Sequence, residues 1–155
     1  MISHAVGPTW QGGKNNEENH LRDCVMASME ATDKRSLTMI AIPAISTGIY
    51  GYPKDKATRV IVEAVSDYFK DCTESRIRTV YLCDVKDDTV KCFVVGMKKY
   101  FERVKQLVNA EETINHWKIH AEKNGNYKIF LKNRNHVSKI FLIDMDKYSI
   151  TNHRF

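Results

Sequence analysis

One stretch, Ile40–Pro53 (IAIPAISTGIYGYP), constrains this chain more than any other. Ile40, Ala41 and Ile42 form the short apolar run of a buried strand. Pro43 cannot donate to a sheet ladder, so the strand is expected to end there. A loop of small, permissive residues follows (Ala44, Ser46, Thr47, Gly48 and Gly51), and Pro53 suits the first position of a helix. That helix carries an apolar stripe at Ala57, Val60, Ile61, Ala64, Val65 and Tyr68. Gly48 and Gly51 allow positive φ and close approach of a ligand to the backbone. Successive N–H groups in such a loop form an anion nest, and the helix N-terminus behind it adds partial positive charge. No lysine lies between Ala44 and Tyr52, so the loop lacks the Walker pattern and a phosphate would be held by backbone. The alternative reading is a plain strand-to-helix connection.

Three landmarks stand in register. PAISTGIYGYP closely resembles the diphosphate loop of macrodomains, the modules that bind ADP-ribose. His4-Ala5-Val6-Gly7-Pro8 resembles the family's HxVGP strand end. Val80–Val85 (VYLCDV), with Thr89 beyond it, looks like the final strand and helix start. The resemblance runs from about Ile2 to about Val108 and is closest to the tandem macrodomains of large ADP-ribosyltransferases.

The resemblance implies a three-layer α/β/α fold with a mainly parallel sheet. It implies ADP-ribose, free or on a protein, as ligand, held by Ser46, Thr47, Gly48, Ile49, Tyr50 and Gly51. The diphosphate would lie over the amides of Thr47, Gly48, Ile49 and Tyr50, with Tyr50 beside the proximal ribose. Asp84 and Val85 fall on the adenosine side; Asp84 either hydrogen-bonds there or caps the next helix. Valine at 85, where many members carry an aromatic, offers adenine apolar contact only.

The family pattern also contains strands, a helix and a first ligand loop ahead of the HxVGP strand, which this sequence does not show. The expectation is a partial macrodomain over residues 1–109 with an unassigned tail, 110–155. The missing strand should leave unpaired sheet edges, which invites association and lowers stability. Hydrolytic macrodomains position water from that first loop. With no histidine near Ser46 or Thr47 either, no catalytic residue is assigned.

Periodicity places strands near 2–6, 37–42 and 78–83 and helices near 17–32, 53–70 and 87–107. Leu21, Cys24, Val25, Ser28 and Met29 mark the first helix, whose opening Glu17 and Glu18 suit the dipole. Val90, Phe93, Val94, Met97, Phe101, Val104 and Val108 mark the third, which Asp87 or Asp88 caps. Gly96 inside that helix implies close packing. Strand alternating with helix argues for an α/β domain whose ligands bind at the strands' carboxyl ends. The tail reads as a helix over Glu111–Glu122, with Ile114, Trp117 and Ala121 inward, then a hairpin of 127–131 and 137–143. That hairpin either covers the open sheet or begins something separate. Trp10 and Trp117 read as packing residues.

The 155 residues suit one domain, and the net charge of +5 raises nucleic acid as a further partner class. No compact basic cluster with interleaved aromatics supports it. Cys24, Cys72, Cys83 and Cys92 show no CxxC pairing and read as reduced thiols of a nuclear or cytoplasmic protein. No apolar run nears the roughly 20 residues of a membrane span, and no leader pattern is present. His116 and His120 have helical zinc spacing but no third ligand nearby, so neither metal nor cofactor is assigned. Two functions of different class follow: an ADP-ribose-binding module, and an ADP-ribosyl-protein hydrolase remnant or part of a transferase-associated protein.

Overall fold

The computed structural model describes residues 1–107, 117–121, 127–133 and 136–144. Its elements run α1 (Glu17–Lys34), β1 (Met39–Pro43), α2 (Lys54–Asp71), β2 (Thr79–Asp84), α3 (Asp87–Leu107), β3 (Trp117–Ala121), β4 (Tyr127–Asn133) and β5 (His136–Asp144). They form a mixed α/β fold around one five-stranded sheet of order β1-β2-β5-β4-β3. β1 pairs with β2 and β2 with β5 in parallel, while β5–β4 and β4–β3 are antiparallel.

The register explains the core. Ile42 faces Leu82 and Ile40 faces Val80 across the first parallel pair, and Ile42, Val80 and Leu82 are buried. The alternate positions Met39 and Ala41 are exposed, and Thr79 and Cys83 are half-buried. One face of β1 and β2 therefore packs on helices. α1 contributes Leu21, Val25 and Met29, α2 Val60, Ile61, Ala64 and Val65, and α3 Phe93 and Met97. The expected second helical layer is not among the described residues. Burying a side chain the size of Phe93 or Ile61 stabilises the fold by roughly 1.5–3 kcal/mol each.

α1 extends to Lys34 and stops where Ser36 turns to φ 56, its N–H bonded to the Asp33 carbonyl. Asp33 then ties three elements together. Its carboxylate accepts from the Tyr68 hydroxyl of α2 at 2.5 Å and from the Arg76 N–H at 2.7 Å. Burial works to raise the Asp33 pKa, but hydrogen bonds from Ser75, Tyr68, Arg76 and Ile77 outweigh it and hold the carboxyl low. Pro53 caps α2 from just outside rather than sitting in its first turn, with its carbonyl accepting from Ala57 N–H. α3 does start at Asp87, and Asp88 accepts from the Thr89 N–H and pairs with Lys54 at 2.5 Å. Gly96 lies against α2, where an added Cβ would sit 3.6 Å from Arg59 Cα.

Two expectations are corrected. Residues 2–6 form no strand. A strand needs a hydrogen-bonded neighbour, and here β1 ends the sheet while residues 1–5 flank it across a groove of about 380 Å³. That groove is lined by uncharged residues, among them Ile2, Leu37, Met39 and Ile45. Ile2 and Val6 are left 85% and 76% exposed.

The second correction concerns the tail. Trp117–Ala121 is a strand paired with Tyr127–Leu131, not a helix. Five residues fit both periods, and a ladder partner decides between them. Residues 111–116 and 122 of the expected helix lie outside the described residues. The hairpin itself is present, closed by the Asn133–His136 pair, and its second strand lies parallel to β2 rather than apart from the sheet. His120 sits on β3 opposite Lys128, so the helical zinc spacing is absent; His116 lies outside the described residues.

Candidate ligand loop at the end of β1

β1 ends at Pro43, and residues 44–52 turn back on themselves before α2. The Ile45 N–H donates to the Pro43 carbonyl at 2.8 Å. Thr47 donates twice to the Ala44 carbonyl, from N–H at 3.2 Å and from Oγ1 at 2.7 Å. Two further bonds close the loop: Gly51 N–H to Gly48 carbonyl and Tyr52 N–H to Ser46 carbonyl, both 3.0 Å.

After these bonds, the amides of Ser46, Gly48, Ile49 and Tyr50 have no acceptor among the described residues. Of the four amides expected beneath a diphosphate, Gly48, Ile49 and Tyr50 are open, while the Thr47 amide is bonded within the loop. Gly48 differs from expectation too. The left-handed positions are Ser46 (φ 68) and Gly51 (φ 66), and Gly48 is not among them. An added Cβ on Gly48 would meet nothing within 4 Å, so its contribution is open space above the loop. Ile49 is fully exposed and Tyr50 is 41% exposed. Ser46 Oγ is buried and has no partner among the described residues. Gly7 presses on it so closely that a Cβ there would lie 2.4 Å from that oxygen. The HxVGP segment and the loop thus touch, although the former is not a strand.

Asp84 ends the neighbouring strand, where Cys83 pairs with Pro43, and Val85 follows it. Asp84 Oδ1 accepts from the Lys86 N–H at 2.9 Å in the turn that leads to α3. Val85 is 60% exposed. The loop after β1 and Asp84–Val85 after β2 stand at the carboxyl ends of adjacent parallel strands, where such sheets bind ligands. A separate concavity of about 430 Å³ lies between α2 and α3, lined by Arg59, Lys91, Val95 and Tyr100 among others. It has no nest of open amides, and its Arg59 is already engaged by Glu18 and Glu63.

Sequence reasoning missed the bracket behind the loop. The Trp10 N–H donates to the Tyr50 carbonyl at 2.8 Å, and the Trp10 ring packs at a 47° tilt against Tyr52 with centroids 4.5 Å apart. Lys56 Nζ lies 5.0 Å from the centre of the Trp10 ring. Glu17 is buried, 2% exposed. Burial alone would raise its pKa, but the backbone N–H groups of Glu17, Gln11, Asn15 and Gly13 hold it down to about 2. The available signal was a double glycine followed by an acidic residue, QGGKNNEE. Burial pushes the Cys24, Cys83 and Cys92 thiols up, so they stay protonated at neutral pH. Among the described residues no three His, Cys, Asp or Glu side chains gather as a metal site.

Residues 1–61 match the Macro domain family model. A macro domain-containing protein of Caldanaerobacter subterraneus subsp. tengcongensis is 40% identical over 83 residues, 54% of this chain and 47% of that protein. The O-acetyl-ADP-ribose deacetylase of Escherichia coli is 43% identical over 67 residues, 43% of this chain and 38% of the enzyme. The chain thus spans less than half the length of these relatives. Among solved structures, an Oceanobacillus iheyensis macrodomain mutant with ADPR superposes with a TM-score of 0.57 at 25% identity, over 63% of this chain and 50% of that one. The same macrodomain with ADP gives 0.56 at 24% identity, over 63% and 50%. Over residues 1–61 this chain is similar to the Macro domain model, and the relatives and solved structures it resembles include macro domain proteins.

Proposed function

We propose that this chain binds ADP-ribose, free or attached to protein, with the diphosphate over the loop that follows β1. The observation that carries the reading is the set of four amides (Ser46, Gly48, Ile49 and Tyr50) left without acceptors in a loop with open space above Gly48. Unpaired donors gathered in a loop are suited to an anion, since each phosphate oxygen can accept more than one N–H. The loop is closed by its own backbone bonds, so little ordering is needed on binding. Asp84 and Val85, at the end of the next strand, would meet the adenosine, and Tyr50 the proximal ribose. Nuclear or cytoplasmic residence and a place beside ADP-ribosyltransferase modules belong to the same proposal and rest on the sequence resemblance alone.

A second reading is favoured by one specific observation, the 43% identity with a relative named O-acetyl-ADP-ribose deacetylase. That identity spans 67 residues and only 38% of the enzyme, so it supports shared ligand chemistry more directly than shared turnover.

Calorimetric titration of the purified chain with ADP-ribose, AMP and ADP tests the proposal. Saturable binding of ADP-ribose and ADP, with AMP much weaker, is expected of a diphosphate site. Equal affinity for AMP would remove the diphosphate from the account, and release of acetate from O-acetyl-ADP-ribose would favour the second reading.

A further inference from the structure

We propose that Glu17 is a positioning residue for the ligand loop: its buried carboxylate fixes residues 10–15, and they in turn hold Tyr50. This rests on the ADP-ribose reading for its consequence in binding, but its geometry stands by itself.

Oε1 of Glu17 accepts from the Gln11 N–H at 2.9 Å and the Gly13 N–H at 3.0 Å, and Oε2 accepts from the Asn15 N–H at 2.7 Å. One side chain therefore gathers three donors from a segment with no regular structure of its own. Gly13 has φ +81 and lies beneath the Trp10 ring, where an added Cβ would sit 3.2 Å from Trp10 Cη2. Trp10 is thus supported from below by Gly13 and rests against Tyr52 at the end of the ligand loop. Its N–H reaches the Tyr50 carbonyl, the tether of the ligand loop to the rest of the chain on that side. The relay runs from Glu17 to Gly13, to Trp10, to Tyr50, next to three of the four open amides.

Charge matters here because the carboxylate is acceptor-only on both oxygens. In Glu17→Gln one oxygen becomes an NH₂ group. At best the two bonds of Oε1 survive, and a donor is turned toward the Asn15 N–H. The segment should then sample open forms, and the loop is competent for a smaller fraction of the time. Apparent affinity falls by that fraction.

The test compares wild type, Glu17→Gln and Tyr68→Phe, all as full chains. Tyr68→Phe removes the hydroxyl bonded to Asp33 at the other end of α2 and serves as a matched destabilisation. Amide hydrogen exchange without ligand is read first. Glu17→Gln is expected to speed exchange at Trp10, Gly51 and Tyr52, whose N–H groups make the tether and the loop closures, while α2 amides keep wild-type rates. Tyr68→Phe should not single out those three. ADP-ribose titration follows, with Glu17→Gln weaker by about three- to tenfold and Tyr68→Phe near wild type.

Unchanged exchange at the three amides, or acceleration spread evenly through α2, overturns the proposal. So does altered exchange with unaltered affinity. If wild type itself fails to bind ADP-ribose while the three amides respond as expected, the functional reading falls and the positioning of the loop stands. Should Glu17→Gln fail to fold, Glu17→Asp keeps the charge with a shorter reach and is expected to show the same local pattern more weakly. Wild-type exchange in that variant overturns the proposal equally.

Discussion

Gly48→Glu separates binding from folding with unusual clarity here. A Cβ at Gly48 meets nothing within 4 Å, and Gly48 is not one of the left-handed glycines, so the free protein has no steric or backbone reason to lose stability. The ligand does. A carboxylate about 6 Å from a phosphate charge is repelled by roughly 0.7 kcal/mol in water-like surroundings and by nearly 3 kcal/mol at an effective dielectric of about 20. Two phosphates double this, and displacement of one charge-assisted hydrogen bond adds roughly 1.5–3 kcal/mol. Even the lower sum amounts to more than about a hundredfold in affinity. Calorimetric titration with ADP-ribose, beside a thermal melt of each protein, provides the assay. Lys128→Glu on β4 is the control: it changes net charge by more, yet lies away from the loop and should shift affinity little. A Gly48→Glu protein that melts like wild type and still binds ADP-ribose within about twofold would place the ligand elsewhere and refute the reasoning.

Other consequences are more structural. Gly51→Ala should lower stability by about 1–2 kcal/mol in chemical denaturation, because φ +66 disfavours a Cβ even though space is available. Gly96→Ala should do the reverse and raise it by about 0.5–1 kcal/mol, since its added methyl would find ordinary contact at 3.6 Å. Removing residues 111–155 takes β5 away from β2 and uncovers that edge, so a 1–110 chain should unfold at lower denaturant, with a broad transition or aggregation; a sharp, unshifted transition would show that β5 gives no support. Stability should also depend on acid. Glu17, Asp33, Asp67 and Asp88 all have folded pKa values below their ordinary ones, so their contribution is complete above the ordinary carboxylate range and is lost as pH falls through the lowered values. For Glu17 that window runs from 4.5 down to about 2, and Glu17→Gln should flatten this part of a stability–pH curve.

The helices were legible because their stripes are long. Val60, Ile61, Ala64 and Val65 can share one face only in a helix, and all four are buried. β1 and β2 were legible for a related reason, as short apolar runs bounded by Pro43 and by the turn at Asp84. Residues 2–6 were not, because strand formation depends on a neighbour that local sequence does not specify. Trp117–Ala121 failed likewise, since its five residues fit either period until Tyr127–Leu131 supplies a ladder.

The loop was located by its residues, yet its internal wiring was not readable. Ser46 rather than Gly48 takes the left-handed turn, and Thr47 spends its amide on Ala44. Both follow from how a short loop satisfies its own carbonyls, which composition does not encode. Glu17 looked like an ordinary first-turn acid, and only the path of residues 10–15 around it makes it a buried acceptor. Trp10 was read as packing and does pack, but its backbone N–H also tethers Tyr50.

The central claim is that a diphosphate rests on particular amides, and backbone amide chemical shifts during an ADP-ribose titration test it most directly. Saturable shifts should be largest at Ser46, Gly48, Ile49 and Tyr50, with Thr47 moving less because its N–H is already bonded to Ala44. Smaller shifts are expected at Val85 and Lys86, beside the adenosine. No saturable change in the loop, or changes gathered instead at Lys91, Val95 and Lys99 in the concavity between α2 and α3, would contradict it.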